Sequence, residues 1–114
     1  MVNAQSVRRL ALSFPDTIEV PHFELASFRV NKKIFATFDE RKRRAMLKLS
    51  QAGQYVFCAY DWMVFFPVPG KWGKGGSTYV DLKKVKSVVF KEALTNAYRQ
   101  ALDKKSPGSK TKQK

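Results

Sequence analysis

Four consecutive cations stand between two segments whose alternating apolar residues are typical of β-strands: Arg41, Lys42, Arg43 and Arg44. A guanidinium group donates two parallel hydrogen bonds to one anion, so this cluster is suited to binding phosphate. More cations lie in two other breaks between apolar segments: Lys32 and Lys33 in one, Lys71 and Lys74 on either side of Trp72 in the other. Clusters of this kind also occur as solvated surface, and the residues alone leave both interpretations open.

Trp72 lies in the glycine-rich segment GKWGKGG. An exposed indole there could stack on a nucleic-acid base, an interaction of about 1 to 3 kcal/mol per base. It could equally fold back over a sheet as a lid.

Residues for catalysis are few. The chain has one histidine, His22, and one cysteine, Cys58, which are 36 positions apart and offer no nucleophile with a positioned base. His22 and Glu24 could supply two metal ligands, but a third is not apparent. The spacing in GKWGKGG does not match a phosphate-binding loop. We therefore predict no enzymatic activity, no metal site, no cofactor and no small-molecule substrate.

The overall charge favours a polyanionic partner. Among 114 residues, 22 Lys and Arg stand against 9 Asp and Glu, a formal charge of +13. Five of the lysines lie in residues 104–114, which contain no acidic residue, and without them residues 1–103 still carry +8. Such an excess raises the rate of encounter with nucleic acid, although basic proteins also use charge for solubility alone.

Compartment is indicated by what the sequence lacks. A single cysteine allows no intrachain disulfide, and no run of about 18 apolar residues is present. The N-terminal segment has no apolar stretch of signal-peptide type. We expect a cytoplasmic protein without a membrane partner.

Apolar spacing in the first half predicts a helix followed by strands. The N-terminal segment has apolar residues at intervals of three and four after Asn3, a predicted helix cap. Residues 17–49 alternate apolar and polar positions, with short polar breaks at 31–33 and 39–44. This pattern predicts a meander of at least three antiparallel strands, with the cations at the tips of its hairpins.

The second half predicts two further helices around a second hairpin. Ser50 is expected to cap a helix in which Tyr55 and Ala59 face inward. Two strands follow, joined by the glycine-rich segment at 70–77, which we interpret as a hairpin tip. The stretch 88–105 has a continuous apolar stripe and predicts a final helix that covers a sheet.

These elements predict one α+β domain over residues 1–103, followed by a basic, flexible tail at 104–114. The expected fold is an antiparallel sheet of about five to six strands with helices packed on one face. The expected order is one helix, three to four strands, a helix, two strands and a helix.

Four segments, in their order and spacing, resemble the MmcQ/YjbR family: SFRVNKKIFATF, MLKLS, KWGKGGSTYVDLKK and KEALTNAYRQA. The resemblance runs from about residue 7 to residue 102. It implies a small α+β fold similar to that of the bacterial frataxin homologue and a double-wing DNA-binding motif. The chain departs from the family at Ser77, where the family usually has Trp.

We therefore predict a non-enzymatic nucleic-acid-binding protein that contacts mainly the phosphates of double-stranded DNA. The expected contacts are a first wing of Arg41, Lys42, Arg43 and Arg44, a second wing of Lys71 and Lys74 with Trp72, and flanking contacts from Lys32 and Lys33. We favour a monomer. The alternative is a chaperone-like adaptor for an unknown protein partner, which would require an exposed apolar patch of several hundred Å².

Overall fold

Six strands form a single antiparallel sheet in the computed structural model, which describes residues 2–103. The strands are β1 (Ile18–His22), β2 (Leu25–Val30), β3 (Lys33–Asp39), β4 (Arg44–Lys48), β5 (Phe65–Pro67) and β6 (Ser77–Asp81). Their spatial order is β1-β2-β3-β4-β6-β5. The first four strands are the predicted meander, and β6 returns to lie between β4 and β5.

Two of the turns hold cations in left-handed backbone conformations. Asn31 and Lys32, between β2 and β3, have φ of 52° and 67°, as a two-residue type I′ hairpin requires. Arg43, at the end of the β3–β4 turn, has φ of 50°. Left-handed geometry is costly for any residue with a Cβ, so both cations lie where glycine would fit better.

Four helices complete the chain: α1 (Ala4–Leu12), α2 (Gln51–Tyr60), α3 (Lys71–Lys74) and α4 (Ser87–Asp103). The predicted caps at Asn3 and Ser50 are confirmed. The Asn3 side chain accepts a hydrogen bond from the Ser6 amide at 2.8 Å, and the Ser50 hydroxyl accepts one from the Gly53 amide at 2.9 Å. These bonds satisfy backbone N–H groups in the first turn of each helix, which have no partner within the helix.

Helices α1 and α4 cover one face of the sheet. The ring of Phe14, just after α1, stacks on Tyr98 of α4 at 4.5 Å, and Phe35 of β3 meets Tyr98 edge-on at 5.6 Å. The Tyr98 hydroxyl donates to the Pro15 carbonyl at 2.8 Å, so the one polar atom of this cluster is satisfied. The α+β class and the antiparallel sheet with its helices are confirmed.

Two local predictions are wrong. The glycine-rich segment between β5 and β6 is not a bare hairpin tip, because its residues 71–74 form the one-turn helix α3. Its position requires small residues: a Cβ on Gly73 would lie 1.9 Å from the Val68 carbonyl oxygen, where no side chain fits. In α2, Tyr55 and Ala59 face solvent rather than the core. Gly53 and Phe57 take the inner side instead, against Asn96 and Phe65.

The predicted tail at 104–114 lies outside the described residues. Within residues 2–103, no helix is long and apolar enough to cross a membrane.

Candidate nucleic-acid interface

The predicted cations lie at two opposite ends of the sheet. Lys32 and Lys33, at the β2–β3 turn, share one end with α3, since Lys48 at the end of β4 pairs with Ser77 at the start of β6. We call this the lysine end. Residues 40–43 form the β3–β4 turn at the other end, here called the arginine end. The seven residues of β3 separate the two ends by roughly 20 Å at about 3.3 Å per residue.

Between the ends runs the sheet face opposite α1 and α4, here called the open face. Alternation along β4 buries Ala45 and Leu47 on the helix side and directs Arg44, Met46 and Lys48 to the open face. Directly opposite these three, β6 contributes Asp81, Tyr79 and Ser77. A row of cationic and aromatic side chains therefore crosses the middle of this face.

A hollow of about 380 Å³ opens on this face, here called the aromatic hollow. Its lining is mainly apolar and aromatic: His22, Leu25, Ile34, Thr37, Asp39, Arg44, Ala45, Met46, Lys48, Val68, Trp72, Ser77 and Tyr79. Ser77, the position that departs from the family resemblance, is buried in this lining. The hollow has the mainly apolar lining with a few polar groups that is typical of binding sites for small flat molecules.

A second hollow of about 420 Å³ lies at the lysine end, here called the cationic hollow. It is lined by Arg29, Lys32, Lys33, Ile34, Lys48, Leu49, Gly75, Gln100 and Ala101. Four of these are cations and none is acidic. Ile34 and Lys48 line both hollows, so an apolar site and an anion site adjoin each other.

Lys48 connects the two hollows. Its ammonium nitrogen lies 5.8 Å from the centre of the Trp72 indole ring, within the range of a cation–π contact. Farther along the face, the Arg44 guanidinium lies 3.8 Å from the centre of the Tyr79 ring, and Tyr79 is 5.8 Å from Phe66. Two cations of this face therefore lie against aromatic rings.

Trp72 is presented to solvent by a fixed backbone. The Gln54 amide nitrogen donates to the Gly73 carbonyl at 2.8 Å, and the Gln51 amide nitrogen donates to the Lys74 carbonyl at 3.2 Å. The Trp72 side chain lines the aromatic hollow yet is 68% exposed. It therefore has both an anchored position and a free surface for stacking. Lys71 and Lys74 are exposed on the same helical turn.

At the arginine end, carboxylates lie among the cations. Glu24, in the β1–β2 turn, places Oε1 3.7 Å from an Arg41 guanidinium nitrogen. Asp39 Oδ1 accepts a hydrogen bond from the Lys42 amide at 3.2 Å. Arg44 begins β4 and lies opposite both Asp39 and Asp81 in the sheet register. The four cations that are densest in the sequence are thus partly compensated by neighbouring strands.

The histidine and the cysteine lie in different parts of the fold, since His22 lines the aromatic hollow and Cys58 lies in α2. His22 is half-buried and meets the ring of Phe23 edge-on at 4.8 Å. Cys58 is half-buried, and desolvation raises the pKa of its thiol, which lowers the thiolate fraction at neutral pH. No three His, Cys, Asp or Glu side chains within residues 2–103 lie together as metal ligands would.

Three residues of this surface were missed in the sequence: Arg29, Lys48 and Tyr79. Each lies inside a strand between buried neighbours, such as Lys48 between Leu47 and Leu49. Strict alternation could have assigned them to the polar face. That Lys48 and Tyr79 lie on the same part of this face could not be predicted from the sequence, because it depends on the pairing of β6 with β4.

Comparison with known proteins shows a likeness to a solved structure. No protein-family model matches this sequence, and no curated protein does. The fold is similar to that of Deinococcus radiodurans protein DR2400, whose domain belongs to the family model DUF419, with a TM-score of 0.78 and 19% identity. The match covers 96% of this chain and 84% of that chain. DUF419 is an MmcQ/YjbR-like domain, and at this identity the likeness shows the fold alone.

Proposed function

We propose that this protein binds nucleic acid at the lysine end of the sheet, with bases against Trp72 at the aromatic hollow and phosphates in the cationic hollow, which α4 also borders. The observation that carries the proposal is the pair of adjoining hollows, which share Ile34 and Lys48. One is apolar and aromatic, and the other is lined by four cations and no carboxylate. A nucleotide has the same two parts, a flat base and an anionic backbone, at the same close spacing.

A single strand suits this arrangement better than a duplex. Stacking on Trp72 requires an unpaired base, because the face of a paired base is covered by its neighbours in the helix. The phosphates on either side of that base would meet Lys48 and Lys32, while Lys33, Arg29, Lys71 and Lys74 border the same region. Contacts to phosphate and ring surface carry little sequence information, so broad base preference is expected.

Arg41, Lys42, Arg43 and Arg44 supply a second, weaker contact in this proposal. A strand long enough to cross the roughly 20 Å of β3 would reach the arginine end after leaving the cationic hollow. The chain would then act as a cytoplasmic, non-enzymatic binding protein. Its resemblance to the MmcQ/YjbR family supports this proposal, in which the two ends of the sheet would serve as the two wings that the resemblance implies.

Trp72→Ala tests the proposal, with Trp62→Ala as the matched control. Both indoles are largely exposed, at 68% and 73%, but Trp62 follows α2 and does not line either hollow. Loss of one stacked base, at about 1 to 3 kcal/mol, predicts an affinity at least about fivefold lower for Trp72→Ala. Fluorescence anisotropy with a labelled 12-nucleotide single strand in low salt measures both variants, and Trp62→Ala should bind as the wild type does.

Salt dependence and a duplex competitor complete the test. Three to four phosphates contacted by a single strand predict a log–log slope of about −2 to −3, at 0.7 per phosphate. If a 20-base-pair duplex binds more tightly than the single strand and Trp72→Ala changes neither, the stacking arrangement is wrong. If neither form binds in low salt, the proposed function fails altogether.

A further inference from the structure

The outer surface of α2 is apolar although it faces solvent. Ala52, Tyr55, Val56, Ala59 and Tyr60 are all exposed and recur at intervals of three and four, so they form one stripe along the helix. Globular proteins use this spacing for the side of a helix that faces their own core. In this chain the core side of α2 is already occupied by Gly53 and Phe57.

The stripe continues into the turn that follows α2. Tyr55 is 77% exposed, Tyr60 63% and Trp62 73%, and Met63 is half-exposed. Three aromatic side chains of about 150 to 250 Å² each, with the aliphatic residues beside them, give an apolar surface on the order of 600 Å². Stable interfaces begin at about 600 Å² per partner, or 1,200 Å² in total. The stripe, with Trp62 and Met63, is called the α2 surface below.

We propose that the α2 surface joins two copies of this chain into a two-fold symmetric dimer. This inference does not depend on the proposed nucleic-acid binding, because none of the residues of the α2 surface lines either hollow. A dimer would differ from the monomer that we expected from the sequence. The α2 surface is also an exposed apolar patch of the kind that an interaction module requires.

Charge favours a second copy over other occupants. The ten residues of α2 include no charged side chain, whereas the chain as a whole carries +13. Two such chains repel each other, and α2 itself carries no cation, although Lys84 and Lys86 lie near Tyr60 at its end. The middle of α2 is therefore where two copies can approach at a low electrostatic cost. A nucleic acid would find no cation on α2. Helices that lie on a lipid surface carry Lys and Arg beside their apolar stripe, and α2 has neither.

Shape favours a second copy as well. In an antiparallel pair of α2 helices that cross at Val56, residue 52 of each helix faces residue 60 of the other. Ala52 would then lie against Tyr60 of the second copy, small against large, and Val56 would meet its own counterpart on the axis. A self-complementary patch of this kind is what a two-fold interface requires.

Val56→Glu tests the dimer because it would bury two like charges on the axis. Sedimentation velocity of the full chain, from about 5 to 500 μM after nuclease treatment and in 0.5 M salt, should show a dimer for the wild type. Like charges brought together cost several kcal/mol, so the dimer dissociation constant of Val56→Glu should rise at least about 100-fold. Val56 is already exposed, so the melting temperature of the monomeric variant should be retained. Val88→Glu, an exposed valine at the start of α4, is the control and should dimerise normally.

Cross-linking locates the axis directly. Cys58 is the only native cysteine, so a Cys58→Ser background carries no thiol. Val56→Cys in that background should form a disulfide-linked dimer under mild oxidation, and Val88→Cys should not. A wild type that stays monomeric at 500 μM overturns the proposal, as does a Val56→Glu variant that dimerises as well as the wild type. Binding of a monomer to lipid vesicles through α2 would likewise refute it.

Discussion

The two ends of the sheet differ in what surrounds their cations. At the arginine end, four cations follow one another in sequence, yet Glu24 pairs with Arg41 and Asp39 bonds to the Lys42 amide. At the lysine end, four cations from two stretches of the chain, residues 29–33 and Lys48, line one hollow whose lining includes no acidic residue. The cluster that is densest in the sequence is therefore the one that has carboxylates beside it in the structure.

This difference has a simple physical origin. Neighbours along the chain repel one another, and a fold lowers that cost by placing carboxylates on adjacent strands, as Asp39 and Asp81 lie beside Arg44. In the cationic hollow, Arg29, Lys32 and Lys48 lie near one another with no acidic residue in the same lining. An anion bound there, as we propose, would offset their mutual repulsion.

Removal of two positive charges should lower single-strand affinity far more at the lysine end than at the arginine end, and this is the largest difference that we expect. Lys32→Ser with Lys48→Ser should weaken binding of a 12-nucleotide single strand by about tenfold or more, since each loses a charge-assisted hydrogen bond. The slope of log affinity against log salt should also become shallower by about 1.4, at 0.7 per phosphate. Arg41→Ser with Lys42→Ser changes the net charge equally but should cost only about twofold.

Anisotropy titrations at several salt concentrations measure both double variants, and circular dichroism checks that each remains folded. Equal losses at the two ends would show that net charge alone governs binding. The distinction between the ends would then have no functional meaning.

Glycine substitution at Lys32 and Arg43, the two cations with positive φ, compares the two ends of the sheet by their effect on the free energy of unfolding. Lys32 and Arg43 have φ of 67° and 50°, so Lys32→Gly and Arg43→Gly should each stabilise the fold by about 0.5 to 1 kcal/mol. Both variants remove one charge. We expect only Lys32→Gly to weaken single-strand binding appreciably, because Lys32 lines the cationic hollow.

Urea unfolding gives the two stabilities, and anisotropy gives the two affinities. A gain in stability with a loss of binding at Lys32 would mean that backbone strain is retained there for function. An unchanged free energy of unfolding in both variants would show that the positive φ at these positions causes no measurable strain.

Local periodicity predicted most of the fold but not the arrangement of the site. Intervals of three and four residues indicated the helices, and alternation with polar breaks indicated the meander. The placement of Lys32 and the arginine cluster at opposite ends follows from the meander itself, because successive turns of antiparallel strands alternate ends, and this was open to inference. The insertion of β6 between β4 and β5 could not be inferred, since no local signal in the sequence encodes which strands pair.

The error at α2 has a different cause. Tyr55 and Ala59 carry the spacing of a buried stripe, and sequence reasoning assigns such a stripe to the chain's own core. The structure buries Gly53 and partly buries Phe57 instead, because Gly53 allows α2 to approach Asn96 closely. A helix with two apolar sides gives an ambiguous pattern, and only packing decides which side is internal.

Glu24→Gln gives the smallest expected change and bears on why the arginine end is weak. If the carboxylate of Glu24 compensates Arg41, its removal should raise single-strand affinity about twofold in low salt, as exposed ion pairs contribute little individually. Glu92→Gln, an exposed acid on α4, alters net charge by the same amount and is the matched control. Anisotropy at 50 and 200 mM salt should show the gain for Glu24→Gln only at the lower concentration, because screening weakens exposed charges. An equal gain from Glu92→Gln would mean that the overall field of the protein, rather than the pairing at Arg41, sets the affinity of this end.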